Sequence, residues 1–175
     1  MTAVPPLAAE DFACIDCGFA FPECDVADVA SRLRELTAQI RTFVVRVGRD
    51  RLSATPPGAT WTGVEYVCHI RDVFEASTIR LFRTRTEDRP QLEPLYNDLR
   101  AVRFRYADAD PMPVLDEIDA AAAGCCDEVA RVADWDRKFT RLPGEERTAR
   151  WLARAAVHEA THHLLDLRRL DPPTA

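Results

Sequence analysis

Lysine occurs once in the 175 residues, at Lys138, so arginine supplies the other 22 of the 23 basic side chains (23 − 1 = 22). Against 29 acidic residues the net charge is −6, which leaves no basic excess to follow a phosphate backbone. No nucleic-acid partner is expected. No stretch approaches the eighteen or so apolar residues that a bilayer-spanning helix needs, so no membrane partner is expected either. The opening residues, Met1-Thr2-Ala3-Val4-Pro5-Pro6, lack a basic segment followed by an apolar run. No signal peptide is read there, and a cytoplasmic location is expected. The scarcity of lysine beside abundant alanine has the composition of a GC-rich genome, an actinobacterium's for instance.

Cysteine is too sparse for a disulfide scaffold, with six in a chain of this length. Cys14-Ile15-Asp16-Cys17 is a CxxC pair, Cys24 follows, and Cys125-Cys126 are adjacent. Three readings stay open. The pair is half of a structural zinc site, completed by Cys125 and Cys126 if the fold brings them close; or it is a redox pair, although no βαβ pattern surrounds it; or these are small buried residues.

What remains is an ordinary globular composition, 47% apolar and 30% charged. Residues 1–24 carry prolines and no period, and are read as an extended, cysteine-containing arm that packs on a single domain spanning 25–175. Asp25 offers an N-cap, and Val26, Val29, Leu33, Leu36, Ile40, Val44 and Val47 recur at spacings of three and four. That is one apolar stripe on a helix ending at Gly48. Thr62-Gly63-Val64-Glu65 fits a capping box for a second helix reaching about Arg85. A short helix is expected over Tyr96 to Arg105. Pro113 stands in the first turn of a third long helix, and a fourth runs from about Thr148 to Leu170, stopped by Asp171-Pro172-Pro173. The segment from Trp135 to Glu145 has room to pair locally, but no alternation in it is long enough for a strand. The expected fold is all-α: a four-helix bundle with a long crossover between the second and third long helices. Apolar positions on the first and third long helices permit a homodimer.

Three of the four histidines fall in Val157-His158-Glu159-Ala160-Thr161-His162-His163-Leu164-Leu165-Asp166. Residues four apart on a helix share a face, so two registers compete. His158, Glu159 and His162 spell HExxH, the zinc-protease signature, but no His or Glu follows His163 to serve as a third ligand. The other register pairs Glu159 with His163. It shares a stripe with Leu152, Ala156, Leu167 and Leu170, whereas His158 and His162 share theirs with Arg154, Leu165 and Arg169, a solvated or cavity-rim face. Bundle ligands project inward, which favours Glu159 and His163. The bland alternative is a buried ion pair between Glu159 and an arginine.

Trp61-Thr62-x-x-Glu65-x-x-x-His69-x-x-Asp72, followed by Glu159-x-x-x-His163-x-x-Asp166, resembles the DinB-like superfamily over roughly residues 25 to 170. That group includes mycothiol-dependent maleylpyruvate isomerases and thiol S-transferases. The resemblance implies a four-helix bundle holding a divalent metal through His69, Glu159 and His163, zinc first and nickel or manganese as alternatives. It also implies mycothiol as a co-substrate delivered to an electrophilic small molecule. The isomerases carry a further C-terminal domain for which this chain has no length, and the Cys14/Cys17/Cys24 arm has no counterpart in the family pattern. At such a site Asp72 and Asp166 are expected to assist catalysis by accepting the second N–H of a liganding imidazole. Arg71 and Arg154 are expected at the rim, binding anionic groups of the thiol or substrate. A hydrolytic reaction through activated water, or a non-catalytic metal-binding accessory protein, are the competing functions.

Overall fold

The computed structural model describes residues 4–171. Four long helices dominate it: α1 (Val29–Val47), α3 (Gly63–Thr86), α5 (Pro111–Arg131) and α6 (Ala149–Arg168), with two short ones, α2 (Arg49–Leu52) and α4 (Asn97–Arg103). Each boundary has a local cause. Asp25 accepts from Ala27 N–H and opens a 3-10 turn that leads into α1. Gly48 ends α1 with φ at 76°, a left-handed backbone that a side chain would strain. At α3 the capping box forms in both directions: Glu65 N–H donates to Thr62 Oγ1, and Thr62 N–H donates to Glu65 Oε2. The third long helix begins at Pro111, capped by Asp110, which puts Pro113 in its first turn as expected. The first three residues of the arm and the Pro172-Pro173 stop lie outside the described residues.

The apolar stripes meet in one core. Leu33 and Ile40 of α1, Phe74 and Leu81 of α3, Ile118 of α5 and Leu167 of α6 are fully enclosed. Each such side chain contributes about 1.5–3 kcal/mol relative to exposure. Both α1 and α3 pack against α5 and α6, so the first two long helices stand diagonally across the bundle rather than side by side. The crossover from α3 to α5 carries α4, which leaves Leu99, Val102 and Phe104 exposed. Exposed large apolar side chains therefore gather on α4 and on Ile79 and Phe82 of α3. The helices expected to carry them, α1 and α5, expose only Val45 and Met112 of this kind among the described residues.

The expected four-helix bundle carries one small addition. Strands β1 (Lys138–Thr140) and β2 (Glu146–Thr148) form an antiparallel hairpin between α5 and α6, and Gln91 in the crossover pairs with Thr140. Strands of three residues are too short to show a period of two, so the sequence pattern passes over them. The hairpin anchors the arm. Arg147 donates to the carbonyls of Leu7 and Ala8, and Thr148 N–H donates to Glu10. Among the described residues no helix is long and apolar enough to cross a membrane.

Candidate metal centre

His69 sits two turns into α3 on the side facing α6, and Glu159 and His163 sit one turn apart on the facing side of α6. Nε2 of His69 and Nε2 of His163 lie 3.5 and 3.4 Å from the same oxygen, Oε2 of Glu159. Trp61 packs edge-on against His69, and Tyr66 lies over His163. His69 is fully buried, whereas Glu159 is set deep in the protein yet has 37% of its side chain open to a cavity. No arginine makes a salt bridge with Glu159 among the described residues; the ionisable side chains against its carboxylate are histidines. Burial opposes the Glu159 charge, but the approach of His158, His163 and His69 outweighs it and holds the carboxyl well below the usual range. Burial likewise opposes a charge on His163. Asp166 and Glu159 overcome it and raise that imidazole to about 9, while burial lowers His69.

The three donors fit a divalent ion. Bonds of 2.0–2.2 Å to nitrogen and oxygen in a tetrahedron place two such ligands about 3.4 Å apart, close to the two distances found. Two imidazoles and one carboxylate are also the donor types of catalytic zinc. On the open side the cluster meets a cavity of about 1060 Å³, walled by Trp61, Trp151 and Leu152, by α4, and by Val4, Pro5 and Leu7 of the arm.

The other expected site residues divide. Asp166 stands where expected, with Oδ2 3.0 Å from Nδ1 of His163. Asp72 does not reach an imidazole. It is buried on another side of α3, where Arg71, Arg100 and the Tyr106 hydroxyl donate to it. Those donors hold the Asp72 carboxyl below its ordinary value despite burial, which opposes them. Arg71 is consumed by Asp72 and Glu117, on a separate cleft of about 340 Å³. Arg154 donates to the Cys24 carbonyl and ties down the end of the arm. Neither arginine lines the large cavity. The arginines that do are Arg80 and Arg141. Arg141 is paired with Glu145, but Arg80 donates only to the Glu93 carbonyl and has no carboxylate partner among the described residues. Nothing in the spacing of Arg80 distinguishes it; it lies three turns along α3 from His69.

His158 and His162 are not on a solvated rim. His158 packs among Phe12, Phe19 and Phe21 of the arm, and His162 Nδ1 lies 3.4 Å from Cys14 Sγ. The arm carries no helical period, so its covering of that face left no trace in the stripe.

A family model described as the DinB superfamily matches residues 29–167. Two solved structures share the fold. YfiT from Bacillus subtilis, described as a probable metal-dependent hydrolase with an unusual four-helix bundle topology, is 20% identical with a TM-score of 0.77, over 83% of this chain and 85% of that one. A histidine mutant of the mycothiol-dependent maleylpyruvate isomerase is 13% identical with a TM-score of 0.69, over 84% of this chain and 62% of that one. No curated protein sequence matches significantly.

Proposed function

The chain belongs to the DinB superfamily, and from that premise we propose that it is a metal-dependent enzyme that activates a low-molecular-weight thiol for attack on an electrophilic, anion-bearing small molecule. His69, Glu159 and His163 would hold the ion, zinc first, with nickel or manganese as alternatives. One observation carries this reading. The cluster has three donors and no fourth among the described residues, and it opens onto a cavity of about 1060 Å³. Structural zinc is closed by four side chains, whereas catalytic zinc keeps a position free.

A bound ion would supply a lowered pKa to a thiol or a water molecule, giving a nucleophile at neutral pH. The chain's own residues do the rest. Asp166 accepts the Nδ1 proton of His163, which leaves Nε2 as the free donor. Trp61, Trp151 and Leu152 wall the cavity and limit the water around the reacting groups. Burial and the nearby Arg141 push the Arg80 guanidinium down against the opposing pull of Glu159, and an anionic substrate group would offset the remaining cost. Typical small-molecule pockets span about 300–1,000 Å³, so this cavity has room for a thiol and its acceptor together. Mycothiol is the thiol of choice, because a mycothiol-dependent enzyme shares the fold and the arginine-rich composition suits an actinobacterial host.

Incubating metal-loaded protein with mycothiol and monochlorobimane tests the proposal. A conjugate formed above background, and lost in Glu159→Gln, is the expected result. Activation of water is the second reading, supported by the fold shared with a probable metal-dependent hydrolase. It would replace the first if ester or amide substrates turned over while no conjugate formed. A protein whose metal content is unchanged by His69→Ala would sink both.

A further inference from the structure

The CxxC pair of the arm and the unused histidines of α6 meet in space. Donor atoms of Cys14, Cys17, His158 and His162 all lie within 4.8 Å of one another. We propose that these four side chains form a second metal site, a closed Cys2His2 zinc centre that fastens the arm to α6. It shares no ligand with the three-donor cluster and does not depend on the catalytic reading.

Three features besides proximity support it. The first is the shape of the arm. Cys14 N–H donates to the Phe19 carbonyl and Gly18 N–H to the Cys14 carbonyl, so residues 14–19 close a tight knuckle. Gly18 sits in its turn with φ at 72°. That turn holds the Cys14 and Cys17 donor atoms within 4.8 Å of each other and of both histidines, as a CxxC pair must be to share one ion. The second is His158. Its Nε2 is buried with no hydrogen-bond partner, although the ring is enclosed by three phenylalanines. A metal bond would satisfy that nitrogen. The third is donor spacing: Cys14 Sγ and His162 Nδ1 are 3.4 Å apart, near the roughly 3.6 Å that 2.3 Å Zn–S and 2.0–2.1 Å Zn–N bonds set in a tetrahedron.

Four protein donors leave no open position, so this centre is structural. Cys14 is buried, which does not suit a redox pair that must meet a partner thiol. Binding would release the two thiol protons to solvent and change no oxidation state. The site also adjoins the first. His158 Nδ1 lies 3.6 Å from Glu159 Oε1, and His162 Nε2 lies 3.7 Å from Asp166 Oδ2. The histidines of one cluster thus border the carboxylates of the other.

Cobalt(II) reports the two centres separately, because only one contains sulfur. The full chain, reduced and stripped of metal, is titrated with cobalt. The expected outcome is a sulfur-to-cobalt charge-transfer band in the near ultraviolet that persists in His69→Ala and vanishes in Cys14→Ser/Cys17→Ser. Metal analysis should show one equivalent fewer in that double variant than in wild type. His162→Ala leaves both thiols in place and should weaken cobalt binding at the sulfur site at least tenfold, a check that survives misfolding of the cysteine variant. A wild-type protein without the band, a band that persists in the double variant, or unchanged affinity in His162→Ala would each overturn the proposal. A sulfur band in a protein that takes up no second equivalent would overturn the three-donor cluster instead.

Discussion

Asp166 holds His163: its Oδ2 lies 3.0 Å from Nδ1 of the imidazole, one turn back along the same helix. The carboxylate is itself nearly buried and also accepts from Arg169. It therefore fixes both the tilt of the ring and the nitrogen that faces Glu159. Replacing it with an isosteric amide, Asp166→Asn, is expected to weaken metal binding about 10–100-fold with the helical circular-dichroism signal unchanged. Competition against a chromophoric chelator measures this, and wild-type affinity would remove the positioning role.

Asp72 has no imidazole among its hydrogen-bond partners and is engaged by the fold instead. Its carboxylate gathers Arg71, Arg100 and Tyr106 from α3 and the crossover. Truncation to alanine strands three donors, two of them partly exposed arginines whose loss is softened by water. The expected cost is about 2–3 kcal/mol in urea unfolding. Metal affinity of the folded variant should stay within twofold of wild type. A variant as stable as wild type but unable to bind metal would return Asp72 to the catalytic role.

Stability should fall on the acid side. Asp72 and Glu128 are both held below their ordinary values. At Asp72 burial is outweighed by its three donors, and Glu128 is lowered first by Arg85 and then by Arg131. A carboxyl with a lowered folded pKa stabilises the protein above its unfolded value and loses that contribution as pH falls through the folded one. The unfolded values are about 4, so the contribution of these two carboxylates should be constant down to about pH 5, and the urea midpoint should drop below about pH 4 as it is lost. Glu128→Gln should flatten part of that drop; an identical acid limb in this variant would count against the assignment.

Gly63 opens α3 where nothing larger fits. A Cβ there would stand 2.9 Å from the Leu52 carbonyl oxygen and 2.7 Å from a Leu170 methyl. The leucine can move, but the carbonyl belongs to the backbone of α2. Gly63→Ala is expected to cost about 1–3 kcal/mol, despite the better helix propensity of alanine. A raised melting temperature would contradict the packing.

The helices and the inward pair were legible because each follows a period. Glu159 and His163 share a stripe with Leu152 and Leu167, and that stripe faces the core. The misplaced residues were those whose partners come from segments without one. His158 and His162 looked solvated because the arm that covers them shows no repeat. Asp72 stands three residues from His69, but its partners, Arg100 and Tyr106, lie in the crossover, beyond the reach of local spacing. Arg80 is one arginine among many until the cavity is seen.

The shared use of α6 also bears on how such a chain can change length. His158 and His162 answer to the arm, and Glu159 and His163 to α3, with adjacent residues serving different neighbours. One residue inserted after Trp151 would turn everything downstream by about 100° and detach both sets together. Insertions should therefore accumulate in the crossover or at the hairpin tip around Pro143-Gly144, while α6 drifts by substitution at positions such as the exposed Arg168.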